Sequence, residues 1–374
     1  PEGGHGVRAQ KESYFHLSSA PMLLLHLTPL AAIWTGIDPT AAWLFLATYW
    51  VRIFAITGGY HRYFAHRTYK TSRAFQLFLA FLGGTAVQKG ALWWAANHRW
   101  HHRHADDPED VHSPVQRGFW YAHIGWIMCA THERTRVELI GDLWKYPELR
   151  FLDRYHLLPP AALALATYLI GGPSGLVWGF CASTIALWHT TFVINSLAHV
   201  VGKRRYLTKD TSRNNWILAL LTFGEGWHNN HHHYQSATRN GFHWWEIDVT
   251  YYVLSVLRAC GLVWGFRPVP AHVRANTIHV RHATLLAAAR ARWEQALARY
   301  EQAQSEAREG WERATTRCDE ARAEACRKWA AALERLDAMR HLMEQRRRAA
   351  FDALVDDAVA TLDATRERAS LPHA

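Results

Sequence analysis

The stretch that decides the fold is TAAWLFLATYWVRIFAITGGYHRYFAH, residues 40–66. Its first part, to about residue 55, is apolar, and two histidines, His61 and His66, follow just beyond it. The run is slightly shorter than the ~20 residues that cross the core of a bilayer, but flanking aromatic residues can extend it. The pattern predicts a membrane-spanning helix with a histidine motif next to its end.

Three further apolar runs, at about residues 20–36, 157–171 and 176–194, complete a set of four. The turns at 36–41 and 171–175 contain no Lys or Arg, whereas the other connecting segments are rich in both. Because basic loops stay on the cytosolic side of a membrane, both turns are expected outside and both termini inside. We therefore predict an all-α integral membrane protein with four transmembrane helices in two hairpins.

Charge and composition agree with a membrane location. The chain has 19 Trp, a residue that favours the bilayer interface, and a net charge of +10. The first 280 residues carry a net charge of +9, which suits lipid head groups or an anionic acyl carrier. Nucleic acid binding is disfavoured because the basic residues alternate with apolar runs. Five Cys without a CxxC pair predict neither a disulfide framework nor a Cys-based metal site.

The last part of the chain differs in composition. We predict a cytosolic segment over 1–19, the membrane domain over 20–275 and, over 281–370, a helical extension that is compatible with a coiled coil. In the extension Trp293, Trp311 and Trp329 recur every 18 residues, which would align them on one face of a straight helix. Gly310 is a helix breaker there, so one long helix and a hairpin both stay open. The Trp stripe is expected to pack in an oligomer or against a partner.

Histidine motifs dominate the rest of the membrane domain. HRWHH covers residues 98–102, HNNHH covers 228–232, and NSLAH covers 195–199. Positions i, i+3 and i+4 share one face of a helix, so the three imidazoles of each HxxHH motif can converge on one or two metal ions. With His61, His66 and His199 the motifs supply nine imidazoles, which suits two ions. Imidazole ligands accept Fe, Zn, Cu or Ni, and ligand type alone leaves the choice open.

HRYFAH, HRWHH, NSLAH and GEGWHNNHH, in this order, resemble the membrane-bound fatty acyl desaturases of the stearoyl-CoA Δ9 type. The resemblance covers about residues 20–265. It implies four transmembrane helices, a cytosolic His-rich helical cap and a di-iron centre on the cytosolic side. The nine ligands that it implies are His61, His66, His98, His101, His102, His199, His228, His231 and His232. It also implies that Asn195 reaches a metal ion through water.

The function implied by the resemblance is O₂-dependent insertion of a cis double bond, at Δ9, into a long-chain acyl-CoA, acyl-carrier or acyl-lipid substrate. Two Fe ions would be the cofactor, and Zn can replace them in a recombinant sample. No haem, iron–sulfur, flavin or nicotinamide motif is present in the sequence, so a separate ferredoxin or cytochrome b5-like protein is the expected electron donor. A hydroxylase, an alkene-forming decarboxylase and a non-catalytic metal-binding scaffold are the alternatives.

Two residues of the second apolar run are candidates for the floor of a substrate tunnel. Tyr49 and Ile53 lie 12 and 8 residues before His61. At 1.5 Å per residue they would lie about 18 Å and about 12 Å deeper in the membrane. An acyl tail that runs past the metal ions would meet the helix at this depth. We therefore expect Tyr49 and Ile53 to select chain length.

Overall fold

The computed structural model describes residues 20–315 and 321–370, and the predicted N-terminal segment 1–19 lies outside them. The chain divides into two compact units, Pro1–Arg281 and His282–Ala374. The described part of the first unit is mostly helical and contains every histidine motif. The described part of the second unit consists of long helices. The domain boundaries inferred from the sequence stay predictions.

The second apolar run forms the α-helix Pro39–Phe54 and continues as a π-helix over Ala55–Ala65. Asp38 caps the helix by accepting a hydrogen bond from the Ala41 amide at 2.8 Å, and a proline fits the first turn because no donor is needed there. π-helical turns are rare and often occur at functional sites. The HRYFAH motif therefore begins on the helix itself, whereas the sequence placed it just beyond the apolar run.

The third and fourth apolar runs fold back on each other. Their helical segments are Leu158–Gly175, Leu176–Ala182 and Ser183–Asn195. The chain reverses at Gly172, whose φ of 60° is in the region that favours glycine. Gly175 lies so close to the returning helix that an added Cβ would be 2.4 Å from the Thr167 carbonyl oxygen. The two runs therefore pack as a helical hairpin.

The first apolar run is short and irregular. It consists of Ala20–Leu27, the 3₁₀ turn Thr28–Ala31 and Ala32–Thr35. The carbonyl oxygen of Gly36, which follows it, accepts hydrogen bonds from Trp178 Nε1 at 2.8 Å and from Ser174 Oγ at 3.3 Å. The two turns that lack Lys and Arg therefore lie side by side at the same end of the helices.

Two helices of the described chain are long and apolar enough to cross a membrane. They are Pro39–Ala65, with 27 residues, and Leu158–His199, with 42 residues including the reversal at Gly172. The first apolar run, Ala20–Thr35, is shorter. The observed architecture is thus a mostly helical fold built around two long apolar helices.

The remaining elements of the first unit form a cap around the histidine motifs. Its helices are Arg73–Gly84, Ala91–His104, Pro114–Arg117, Phe119–His123, Gly141–Trp144, Pro147–Arg154, Trp216–Leu221, His228–His233, Val249–Ala259 and Ala271–Ala275. Short 3₁₀ turns occur at Gly125–Met128, Ala130–His132, Val137–Leu139 and Leu197–His199. Two strands, Lys70–Thr71 and Val263–Trp264, pair antiparallel, so the all-α prediction is correct only in part. Strands of two residues are too short to leave an alternating pattern in a sequence.

The second unit is a pair of helices, Ile278–Thr315 and Ala321–Ser370. The rings of Trp311 and Trp329 meet edge to face with their centroids 6.4 Å apart. The Tyr300 hydroxyl donates to the Leu336 carbonyl oxygen at 2.9 Å. Residues late in one helix therefore contact residues early in the other, which makes the pair an antiparallel hairpin.

This geometry settles the choice between one helix and two. Trp329 does not share a helix with Trp293 and Trp311, so the three rings do not form a single straight stripe. Because the chain direction reverses, Trp311 and Trp329 cover each other instead, which removes part of both rings from water. Oligomerisation through this hairpin stays a prediction.

A protein that ends at residue 281 tests the independence of the first unit. We expect the apparent Tm of its intrinsic Trp fluorescence to stay within a few degrees of the full chain, because the buried core clusters of the described residues all lie before residue 281. The control is the full chain in the same detergent. A loss of cooperative unfolding in the shortened protein would contradict this division of the chain.

Candidate metal centre

Nine histidines meet in two groups inside the first unit. His61, His66, His98, His102 and His231 form the five-histidine group, and His101, His199, His228 and His232 form the four-histidine group. In each group one ring nitrogen per residue lies within 4.8 Å of all the others. The structure thus brings together all nine histidines that the motifs singled out.

The Nε2 atoms of the five-histidine group are close neighbours. The Nε2–Nε2 distances are 3.0 Å for His61 and His231, 2.9 Å for His231 and His102, 3.0 Å for His102 and His98, and 2.8 Å for His98 and His66. In the four-histidine group the Nε2 atoms of His199 and His228 are 3.1 Å apart. Both groups therefore present nitrogen atoms to a common centre.

Helical geometry divides each HxxHH motif between the two groups. In the helix Ala91–His104 the i and i+4 residues, His98 and His102, join the five-histidine group, and His101 joins the other. The second motif shows the reverse assignment. His228 and His232 belong to the four-histidine group, and His231 belongs to the five-histidine group. Each motif thus contributes to both groups, which fixes the groups close together.

Carboxylates hold the outer nitrogens of several of these rings. Nδ1 of His101 lies 2.8 Å from Asp110 Oδ1, and Nδ1 of His232 lies 2.8 Å from Asp210 Oδ2. A third carboxylate of the four-histidine group belongs to Asp106, 3.5 Å from His199 Nδ1. In the five-histidine group His61 Nδ1 lies 2.7 Å from Glu225 Oε2. Such partners orient the ring of a metal-binding histidine and raise its basicity.

The charge state of these carboxylates follows from their neighbours. Burial raises the pKa of Asp110, but the electrostatic attraction and the hydrogen bond of His101 outweigh burial and keep this pKa below its usual range. The same balance, with His232 as the partner, lowers the pKa of Asp210. Both groups are therefore carboxylates at neutral pH. Together with Asp106 they give the four-histidine group more negative charge around it than the five-histidine group has.

The nitrogen atoms fit metal ions better than they fit one another. An imidazole that donates Nδ1–H to a carboxylate keeps its lone pair on Nε2. The Nε2 atoms of His101 and His232 are buried and have no hydrogen-bond partner among the described residues. Several lone pairs that point into one buried space repel each other, and a cation relieves this repulsion. The donor set therefore fits a metal ion in each group.

The carboxylate of Glu225 is itself fixed by a buried ion-pair network. Arg62, which is 1% exposed, donates to Glu225 Oε1 at 3.0 Å and contacts Asp248 Oδ1 at 2.9 Å. Its other terminal nitrogen donates to the Thr238 carbonyl oxygen at 2.9 Å. A buried charge needs such partners, because isolation in a low dielectric costs several kcal/mol. Arg62 therefore joins the spanning helix, the cap and the five-histidine group.

The fatty acid desaturase family matches residues 38–259 of the chain. The chain belongs to the fatty acid desaturase family. It is 40% identical to acyl-CoA 5-desaturase AL21 of Anemone leveillei over 265 residues, which are 69% of this chain and 81% of that protein. It is 39% identical to delta-9 acyl-lipid desaturase 1 of Arabidopsis thaliana, over 58% of this chain and 72% of that one. It is 38% identical to sn-1 stearoyl-lipid 9-desaturase of Anabaena variabilis, over 58% of this chain and 80% of that protein.

A cavity that is open to solvent on one side lies beside the histidines of this desaturase. The residues that line it are Ile53, Ile56, Thr57, His61, Trp94, His98, Thr191, Ile194, Asn195, Thr222, Glu225 and His228. Ile53, one of the two predicted tunnel residues, is therefore on the wall. Tyr49 lies one helical turn farther along and donates from its hydroxyl to Thr190 Oγ1 at 3.1 Å. Asn195 faces the same cavity as His228, a member of the four-histidine group.

Sequence reasoning missed several residues of the desaturase site. Gln88 donates from Nε2 to Thr191 Oγ1 at 2.9 Å and accepts from Trp94 Nε1 at 3.2 Å. It thereby joins two residues that both line the cavity. Trp94 also stacks on His98, with a centroid distance of 4.8 Å. Trp94 could have been found because it lies one helical turn before the HRWHH motif, whereas nothing local singles out Gln88 or Thr191.

Other histidines lie outside the two groups. His26, His189 and His123 form a chain of hydrogen bonds, 3.2 Å and 3.0 Å long, that ends on Ser196 Oγ at 3.0 Å. His112 packs against His101 with a centroid distance of 4.2 Å, so it supports a residue of the four-histidine group.

Replacing the carboxylates tests their role around the four-histidine group. We expect Asp110→Asn and Asp210→Asn each to lower the affinity of one of two bound metal ions about 10- to 100-fold, because the ring partner loses its charge. Metal retained against a graded chelator would be measured per chain. The control is Asp107→Asn, since Asp107 is exposed on the same loop as Asp110. Unchanged retention in both test variants would contradict the assignment.

Proposed function

We propose that this desaturase inserts a cis double bond at the Δ9 position of a long-chain acyl thioester or acyl lipid, using O₂ and two iron ions. The observation that carries the proposal is the pair of all-histidine groups beside a partly apolar cavity. Curated relatives named delta-9 acyl-lipid desaturase and stearoyl-lipid 9-desaturase favour Δ9, although another relative is named a 5-desaturase. The acyl carrier is proposed as coenzyme A or a lipid.

In the proposed site the nine histidines bind two metal ions, five at one and four at the other. Asn195 would complete the shell of the four-histidine ion through a water molecule, and its place on the cavity wall beside His228 supports this role. Bound iron would supply the oxidant that an unactivated methylene requires. Zn²⁺ binds such nitrogen sites more tightly than Fe²⁺, so an overexpressed sample can contain zinc and be inactive.

The polypeptide has its own part in the reaction. The side chains of Ile53 and Ile56 give the cavity an apolar wall that excludes water and accepts an acyl chain. Trp94 and Thr191, joined by Gln88, narrow the cavity next to His98. A fixed wall of this kind brings chosen methylenes toward the metal groups, and orientation alone can supply several kcal/mol of the barrier reduction.

We propose four spans in two hairpins, with the metal centre and both termini on the cytosolic side. The contacts of Gly36 with Ser174 and Trp178 support this topology, because they keep the two charge-free turns at one end of the helices. The basic segments and the histidine motifs lie at the other ends. A separate ferredoxin or cytochrome b5-like protein is the proposed electron donor, and the basic excess of the first 280 residues suits an acidic partner.

Product analysis tests the proposal. Cells that express the chain should gain a cis monounsaturated fatty acid, identified by gas chromatography with location of the double bond. His101→Ala and His231→Ala should each abolish this product and lower the metal content, because each removes a ligand from one group. His272→Ala is the control, since His272 is exposed and outside both groups. A hydroxylated or terminal-alkene product would instead identify another oxygenase, and metal-binding protein without O₂ consumption would favour the scaffold.

Chain-length preference tests the proposed tunnel floor. Tyr49→Ala should favour longer substrates, because it opens the region below Ile53, and Ile53→Trp should favour shorter ones, because it fills the cavity. Since one methylene is worth roughly 1–3 kcal/mol in such a pocket, we expect about a tenfold change in the product ratio. Val51→Ala is the matched control, as Val51 is exposed on the same helix. The floor assignment is wrong if both test variants keep the original preference.

A further inference from the structure

A buried arginine lies in the middle of the second apolar helix. Arg52 is nine residues before His61 and only 1% exposed. Among the described residues no carboxylate forms an ion pair with it, in contrast to Arg62. A charged side chain inside a membrane segment is expensive and is a candidate for a functional role. The hydrogen bonds of Arg52 show which groups of the protein this charge keeps in place.

The guanidinium of Arg52 binds oxygen atoms from three parts of the chain. Nε donates to the Thr48 carbonyl oxygen at 3.0 Å, on its own helix. The terminal nitrogens donate to the hydroxyls of Ser183 and Thr184, on the fourth apolar run. One of them also donates to the Thr85 carbonyl oxygen at 3.3 Å. Arg52 therefore connects two apolar helices to the segment that begins at Thr85.

This segment, residues 85–90, has an unusual backbone. Val87 and Lys89 have φ values of 58° and 61°. Positive φ is uncommon for residues other than glycine and is a strong outlier for a β-branched residue such as Val87. A conformation of this kind is unfavourable for residues with a Cβ and persists when surrounding contacts hold it. The segment will be called the 85–90 loop.

Side chains from the helices hold the loop by its carbonyl oxygens. Arg52 donates to Thr85, Trp188 Nε1 donates to Ala86 at 2.9 Å, and the Tyr60 hydroxyl donates to Lys89 at 3.3 Å. Three carbonyls of a strained loop are thus fixed by three large side chains of the apolar helices. Arg52 is the charged side chain of the three, and a charged donor makes a stronger hydrogen bond than a neutral donor does.

The position of the 85–90 loop matters because the loop carries Gln88. The two neighbours of Gln88 are the residues with positive φ, so the backbone conformation sets the direction of its side chain. Gln88 in turn bonds to Thr191 and Trp94, which both line the cavity next to His98. A shift of the loop would therefore move the cavity wall relative to the metal groups.

We propose that Arg52 is a positioning residue that clamps the 85–90 loop and thereby fixes which methylenes of the acyl chain face the metal centre. The proposal rests on the desaturase function proposed above. Arg52 acts through Thr85 and Gln88 and does not itself line the cavity. Its role is to determine the position of the double bond, beyond holding the helices together.

The planar guanidinium suits this role better than other side chains. Its fork of N–H donors reaches Thr48, Thr85, Ser183 and Thr184 at once, whereas a lysine ammonium has a single nitrogen. Ser183 and Thr184 also donate to carbonyls one turn earlier on their own helix, so their hydroxyls keep partners without Arg52. Removal of Arg52 therefore mainly releases the Thr85 carbonyl, which is part of the loop.

Two measurements on the full-length, metal-loaded protein test the proposal. Arg52→Met and Arg52→Lys should speed hydrogen–deuterium exchange of the amides in the 85–90 loop. A misplacement of about 1 Å can change a rate by on the order of a hundredfold, so the ratio of minor to major double-bond isomers should rise about tenfold. Metal content should stay at the wild-type level, because the hydrogen-bond partners of Arg52 include no member of either histidine group.

Two further variants keep the test decisive. Tyr69→Phe is the control, since Tyr69 is as buried as Arg52 and donates to Gly58 at 2.8 Å without contact to the loop. If the Arg52 variants do not fold, Thr184→Val removes one partner of Arg52 and should change loop exchange and isomer ratio in the same direction.

The proposal is overturned if loop exchange and isomer ratio stay at wild-type values in the folded variants. It is overturned equally if Tyr69→Phe changes both as much as Arg52→Met does, because general loosening would then explain the effect. If the wild-type protein yields no desaturated product, the proposed function fails, while the exchange measurement still decides whether Arg52 clamps the loop.

Discussion

The structure depends on the convergence of imidazole nitrogens whose lone pairs point into two small buried spaces. Without cations this arrangement is unfavourable, because lone pairs face lone pairs at about 3 Å. The protein tolerates it because the outer nitrogens are tied down. His61, His101 and His232 each have a carboxylate within 2.8 Å of Nδ1, which orients the rings before any ion binds. Binding of metal ions by the histidines is therefore coupled to folding of the cap.

The two groups differ in their surroundings. Three aspartates surround the four-histidine group, and one glutamate, shared with Arg62, contacts the five-histidine group. Because negative charge attracts cations, the surroundings of the four-histidine group favour a bound cation more strongly than those of the five-histidine group do. The cavity touches members of both groups, so a substrate would approach two ions that are not equivalent.

Much of the site could be predicted because its signal is local. The i, i+3, i+4 spacing identified six of the nine histidines, the HRYFAH motif supplied His61 and His66, and His199 came from the desaturase resemblance, with which the family comparison agrees. The division of each HxxHH motif between two groups could not be predicted, since all three positions share one helix face. Asp106 and Asp110 follow HRWHH within a few residues and could have been considered. Gln88 could not, because its partners are set by tertiary packing.

The fold shows the same distinction between features that have a local sequence signal and features that are set by tertiary packing. The apolar runs and the turn at Gly172 are local features, and the structure has helices and a reversal there. The antiparallel tail was one of two open possibilities, because a repeat of 18 residues fits a straight helix as well as two helices that face each other. The π-helical turns Ala55–Ala65, which continue the spanning helix into the HRYFAH motif, have no recognised signature in sequence. The strained 85–90 loop has no recognised signature in sequence either.

Iron-edge X-ray absorption on the iron-loaded, full-length protein tests the central claim most directly. The account predicts two iron ions per chain with a first shell dominated by imidazole nitrogen at about 2.0–2.2 Å, typical of nitrogen ligands to such metals. It also predicts that His101→Ala and His231→Ala, which each remove a histidine from a different group, lower the iron content below two ions per chain. One ion per chain, or a first shell dominated by carboxylate oxygen, would contradict the assignment of the nine histidines to two metal ions.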